Sequence, residues 1–484
     1  MTEPLPPFRA LIIGGSVAGL TLAHAFSRLN IDFVLLEARE SIAPDVGQSI
    51  IIAANGARIL DQLGLQDGID QMGQALKEFV LRRSDGRVVS RADWPTVVAE
   101  RLGYDQIIIE RKAFLSHLYN SLSPAAKSKI HTSTRVTSIT STPEDVTVLC
   151  TNGSSYKGHV VIGADGVRSI VRNEMRRHAA AKGCADLFKN DLNSLTATYS
   201  CLFGISSARA GLEIGGMHST ADIDRSSLLF IGKDNLLLWF FISKMDRTYA
   251  ESEIPRLDQR RAEELVKRHS DFQLIEGVNL ATLWEERTTW SYLPLEEAVN
   301  ERWSFERFVC AGDAVHKMTP NFGQGGNQAI ESVAVLTNTL ASLLQESPSP
   351  SLPSLASALQ TYESLRKKRA NTITRLSNLV TREDALSELK YTLRLLYLRP
   401  KFDNQLGDMA TKLQAAAPVL EGFEIPTRGR SKGWASGNEG ARASADLAQA
   451  LDFSDGQPSS TRTGRMSGCL AHQAGPGYLA TGSC

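Results

Sequence analysis

Two carboxylates stand out as residues able to do chemistry, because each sits beside a glycine-rich stretch: Glu37 and Asp313. The first stretch reads GGSVAGLTLAH, with Gly14, Ser16 and Gly19 at the spacing Gly-x-Gly-x-x-Gly, serine replacing the middle glycine. Gly14 permits a tight turn, and Gly19 lets a helix pack closely on a strand. Serine is the smallest hydroxyl side chain. A pyrophosphate can still approach the main chain beside it, and its Oγ can donate to a phosphate. The helix that starts there adds free N–H groups and the positive end of its dipole. Glu37 follows 18 residues after Gly19, at the end of an aliphatic run, where an acid meets a ribose hydroxyl. A tight strand-to-helix turn without a ligand is the plain alternative.

Two later stretches extend the pattern. VVIGADGVRS is a strand running into a turn at Asp165-Gly166, although Asp-Gly turns are common in any fold. FVCAGDAVHKMTPNFGQGGNQAIESVAVL is another strand, ending at Gly312-Asp313. Its loop passes Pro320, and Gly323, Gly325 and Gly326 then precede an amphipathic helix. Asp313 can bond a second polyol, and the glycine turn aims N–H groups at whatever lies there. Two acid-plus-glycine sites about 275 residues apart suit an extended ligand with two sugar-like parts. FAD is such a ligand; NAD has no need of the third stretch.

The elements that must position these residues are readable around them. RALIIGG is a first strand, SVAGLTLAHAFSRLN has helical apolar spacing, and IDFVLLEAR is a second strand, which together make one βαβ unit. RVTSIT and EDVTVLCTNG alternate as antiparallel strands. From 196 to 300 the chain is rich in strands, including LLLWFFI, which suits a sheet roofing a pocket. The expected fold is α/β: a Rossmann-like FAD-binding domain with an inserted, mostly antiparallel β-sheet substrate domain and a C-terminal helical region. The expected divisions are 8–75, 76–195 with inserted strands, and 301–345 for the FAD-binding parts, 196–300 for the substrate sheet and 355–430 for the helices. Residues 431–484, rich in Gly, Ser and Ala, read as a disordered tail with at most a short helix over ASADLAQALDF.

GGSVAGLTLAH, LLEAR, GADGVRS and CAGDAVHKMTPNFGQGGNQAIE resemble the FAD-dependent group A (aromatic-hydroxylase-like) monooxygenases. With ANGARILDQLGL and YSCLFGIS, the chain is most similar to fungal members that epoxidise prenyl chains in indole-diterpene and meroterpenoid biosynthesis. That resemblance implies NAD(P)H as co-substrate and transfer of one oxygen from O2 through a C4a-hydroperoxide of the flavin. It places Arg111 against the flavin or its pyrophosphate, and the segment holding Gln48 and Ile51 beside the isoalloxazine. It ties Asp165 to the pyrophosphate and to the nicotinamide cofactor. Tyr199, on the roof strand, is a candidate to orient substrate or donate a proton, with a core tyrosine as the alternative. His316 reads as a structural hydrogen-bonder, with no second ligand spaced for a metal.

Composition narrows the classes. Lys+Arg and Asp+Glu are equal at 53 each, so nothing favours nucleic acid. The six cysteines form no C-x-x-C pair and suit a reducing, intracellular and cytoplasmic setting. MTEPLPPFRALIIGG lacks a basic n-region, and Leu236–Ile242, the longest apolar run, is too short to span a bilayer. Weak association with a membrane surface stays open. The family resemblance implies a small apolar substrate, prenylated or terpenoid. Hydroxylation of a phenol or indole by the same chemistry is the alternative, and a non-catalytic flavin-binding protein is the reading from another class. No W-x-W-x-I-P segment supports a halogenase.

Overall fold

The computed structural model describes residues 8–45, 49–207, 209 and 211–434. Gln48 and residues 435–484 lie outside the described residues. A six-stranded sheet has the order Ser304–Phe305, Phe308–Cys310, Val160–Gly163, Arg9–Ile13, Asp32–Leu36, Ile130–His131. Every neighbouring pair is parallel except the first. Val160–Gly163 is buried throughout, as expected of a parallel strand covered on both faces. Ile13 pairs with both Gly163 and Leu36, and Gly163 pairs with Cys310. Gly14, Glu37, Asp165 and Asp313 therefore all leave the carboxyl ends of adjacent strands. Parallel pairing alone brings residues from four distant stretches to one edge, the usual ligand edge of such sheets.

Two glycines make the first turn possible. Gly14 has φ +106°, and a Cβ there would lie 2.3 Å from the Ala164 carbonyl oxygen. A Cβ on Gly19 would lie 1.9 Å from the Gly14 carbonyl oxygen. The helix Val17–Arg28 consequently lies flat on the sheet, with Val17 to Phe26 buried.

An eight-stranded sheet faces that edge. Its order is His316–Lys317, Arg287–Val299, Thr196–Ser206, Leu237–Ala250, Arg225–Ile231, Gly216–Asp222, Glu78–Arg83, Val88–Ala92. The last two strands fall where the sequence boundary at 76 places nucleotide-domain chain. Glu78–Arg83 joins the roof, pairing in parallel with Gly216–Asp222. A parallel partner some 140 residues away leaves no local signal. Strand alternation sends Phe203, Phe230 and Phe240 to one face and Leu202, Leu229, Trp239 and Phe241 to the other. The helices Gln259–Arg268 and Leu280–Glu285 contribute to the second cluster, so LLLWFFI is apolar because both faces are covered.

The helix Gly325–Glu346 packs against the long helix Leu352–Asp384. Residues 431–434, expected to begin the tail, are packed: the Trp434 indole donates to the Leu102 carbonyl at 2.9 Å and lies 4.2 Å from the Arg58 guanidinium. Among the described residues no helix is long and apolar enough to cross a membrane.

Candidate active site

Between the two sheets lies a cavity of about 950 Å³. Gly14, Ser16, Glu37, Ile51, Arg111, Asp165, Asp313, Pro320, Gly323 and Gly326 all line it. Gly19 stands behind this wall and sets the helix-to-strand spacing.

At the first turn, Glu37 is held by main-chain donors. Its Oε2 accepts from Gly15 N at 2.7 Å and its Oε1 from Arg39 N at 2.8 Å. Each oxygen keeps lone-pair capacity for a hydroxyl. Ser16 Oγ accepts from Arg111 Nη2 at 2.7 Å and does not cap the helix it begins. The serine therefore anchors a guanidinium, a role its spacing did not disclose, and its own proton is left to donate. Burial pushes the Arg111 guanidinium down, and the nearby Asp313 and Glu37 carboxylates oppose that. Neither Val17–Arg28 nor Gly325–Glu346 has a side-chain cap or an acid in its first turn. Two helix starts thus present N–H groups toward the cavity, beside the half-buried Arg111 guanidinium. This donor set matches a pyrophosphate and a ribose.

Asp313 forms an ion pair with Lys317, Oδ2 to Nζ at 2.6 Å. Burial alone would raise its carboxyl, but Lys317, joined by His316 and Arg111, holds it below the usual range. Asp165 lines the cavity and also ties down the helix behind it. Its Oδ2 accepts from Ile170 N at 2.7 Å and Val171 N at 3.2 Å, capping the helix Ile170–Ala181. Burial pushes this carboxyl up. The Asp-Gly turn borders the cavity while its carboxylate serves the fold. Gly323, at φ +63°, would set a Cβ 3.0 Å from Ile51 Cδ1, and Gly326 would set one 2.5 Å from Ile50 Cδ1. The glycine turn and the strand Ser49–Ile52 meet because these side chains are absent.

Other residues near the site show roles that their spacing did not disclose. Asn327 Nδ2 donates to Ile51 O and Gly323 O, both at 2.9 Å, and its Oδ1 accepts from Ala53 N at 3.0 Å. Glu331 is fully buried and paired with Arg366 at 2.9 Å and Arg369 at 2.7 Å. His316 lies 2.9 Å from Ser332 Oγ, and burial pushes its ring down to about 4. Tyr199 requires a correction: it is 1% exposed and does not line the cavity. It shares a face with Phe203, but the Arg382 guanidinium sits 5.9 Å from its ring. The eight-stranded sheet contributes Phe203, Leu228, Phe230, Phe240, Leu293, Leu295 and Glu296 to the cavity wall.

The FAD binding domain family matches residues 8–377. The monooxygenase spyC of Aspergillus fumigatus, named as FAD-dependent, is 37% identical over 435 residues, covering 89% of this chain and 90% of that protein. The chain belongs to the FAD-dependent monooxygenases. It also matches the FAD-dependent monooxygenase BOA8 of Botryotinia fuckeliana at 37% identity over 87% of its length, but spans only 50% of that longer relative. Among solved structures, Klebsiella pneumoniae HpxO, complexed with FAD and uric acid, superposes with a TM-score of 0.67. At 19% identity, over 85% of this chain and 97% of that one, it shares the fold.

Proposed function

We propose that this monooxygenase is driven by NAD(P)H and puts one oxygen atom from O2 on a prenyl or terpenoid alkene, giving an epoxide, in a fungal-type secondary-metabolite pathway. The observation that carries this is the division of the cavity. The turns at the carboxyl edge of the six-stranded sheet bring carboxylates and helix starts, beside the Arg111 guanidinium; the eight-stranded sheet brings mainly aromatic and aliphatic side chains, with Glu296 among them. An isoprenoid buries its surface against those apolar side chains without stranding a polar group.

In this reading Glu37 accepts the ribose hydroxyls, while Arg111, Ser16 and the start of Val17–Arg28 hold the pyrophosphate. Asp313 takes the ribityl chain. Gly323, Gly326 and Ile51 offer main chain to the ring system, with Pro320 closing the turn. FAD, when bound, supplies the redox chemistry that joins NAD(P)H to O2. The chain orients the alkene and excludes water with Phe203, Phe230 and Phe240.

The test is NAD(P)H oxidation with a panel of prenylated phenols and indoles under 18O2. Coupled turnover should leave one labelled oxygen on the prenyl group. A label on the ring would move the reading to aromatic hydroxylation. A yellow protein that oxidises neither cofactor would remove catalysis.

A further inference from the structure

The loop carrying Pro320 is held from behind by a run of buried polar side chains. On the long helix, Ser377 Oγ donates to the Thr319 carbonyl at 2.6 Å. Thr381 Oγ1 lies 2.7 Å from both Thr319 Oγ1 and Asn321 Oδ1. Asn321 Nδ2 donates to Asp384 Oδ2 at 3.0 Å. All five side chains are buried, and Thr319, Pro320 and Gly323 border the cavity on the loop's other side.

We propose that Asp384 is a positioning residue of the cofactor site: its ionised carboxylate holds the Asn321 amide, and through it the turn Pro320–Gly323 against which FAD docks. An amide with a hydroxyl at its oxygen and a carboxylate at its nitrogen has one orientation. Protonation replaces an ionic acceptor with a neutral one, and the bond weakens by roughly half. The groups facing Asp384 are Arg399, which attracts it, Glu383 on its own helix, which repels it, and Ser219 of the strand Gly216–Asp222. Glu383 is itself engaged by Arg394 at 2.5 Å. Burial outweighs Arg399 and Asn321 and pushes the Asp384 carboxyl up to about 6. Asp384 is therefore ionised at neutral pH and becomes neutral as pH falls through that value, so the turn loosens on the acid side.

The test is flavin release on dilution of the full-length holoprotein, followed by flavin fluorescence from about pH 8 to about pH 5. In the parent, the FAD dissociation constant should rise about ten-fold toward acid, with its midpoint near 6. Asp384→Asn, the isosteric variant, should remove that pH dependence. Asp384→Ala should bind about ten-fold more weakly than the parent at pH 8. The inference rests on FAD docking against this turn, so Glu37→Ala at the other end of the cavity is the control and should weaken binding at every pH. Failure of the control means the cofactor lies elsewhere. If the control weakens binding while Asp384→Asn titrates like the parent, the inference is overturned. If Asp384→Ala does not fold, the parent and Asp384→Asn profiles decide alone.

Discussion

Ser16 does two things with one oxygen. It accepts from Arg111 at 2.7 Å, and it stands at an uncapped helix start on the cavity wall. Removing the hydroxyl costs one hydrogen bond, while glycine leaves the approach open. Ser16→Gly should therefore bind FAD within about three-fold of the parent. Ser16→Val should bind at least ten-fold more weakly, an effect of about 1.4 kcal/mol or more. Both variants lose the Arg111 contact, but only valine sets branched methyls where the proposed site brings the phosphates close to the main chain. Dissociation constants of the three proteins by flavin fluorescence are the measurement. Equal affinity for Ser16→Val would mean that the phosphates do not approach this turn.

At the scale of elements, the helix that begins at Gly325 must be locked if its free N–H groups are to stay aimed at the cavity. The lock is Glu331 against Arg366 and Arg369, joining it to the long helix. Burial works to raise the Glu331 carboxyl, but the two guanidinium groups win and hold it at about 2, against an ordinary 4.5. A lowered carboxyl stabilises the fold above its unfolded value, and that contribution disappears as pH falls from about 4.5 through about 2. The shift corresponds to roughly 3 kcal/mol. His316, pushed down by burial, adds a loss over the window from its ordinary 6.5 down to about 4. Glu331→Gln should cost about 3 kcal/mol or more at neutral pH, because it leaves buried guanidinium groups uncompensated. Urea unfolding reads this; a loss below about 1 kcal/mol with an unchanged slope would show that the pair does not hold the helices together.

At the scale of the molecule, the cavity wall draws residues from 13–18, 36–39, 49–51, 164–170 and 311–329 and from strands of the opposite sheet. A ligand there binds only the folded chain, so it stabilises by mass action. At FAD about a hundred-fold over its dissociation constant the gain is about 2.7 kcal/mol, or roughly 3 °C in the melting midpoint for a chain of this size. Differential scanning fluorimetry with and without added FAD measures it. An unchanged midpoint at saturating FAD would mean that the cavity is not the flavin site.

Gly14, Gly19 and Glu37 were legible because they fall within one βαβ unit, where sequence spacing nearly dictates spatial spacing. Asp313 and the turn Gly323–Gly326 were legible because a strand, a turn and a helix start follow one another without interruption. The apolar run Leu236–Ile242 announced a buried strand for a similar local reason. Contacts between distant stretches had no such trace. Arg111 reaches Ser16 across 95 residues, and Asn327 reaches Ile51 across 276. Tyr199 shows the limit most directly. Alternation assigns it correctly to the face of Phe203, but the cavity opens at Phe203, while Arg382 from the long helix lies against Tyr199. The parallel pairing of Glu78–Arg83 with Gly216–Asp222 was likewise decided by the folded chain. Local backbone needs and periodicity are written residue by residue, and these determined the glycine turns at the sheet edge and the α/β class. Which covered face becomes cavity, and which buried charges meet, depends on how whole elements pack, and only the tertiary structure decided that.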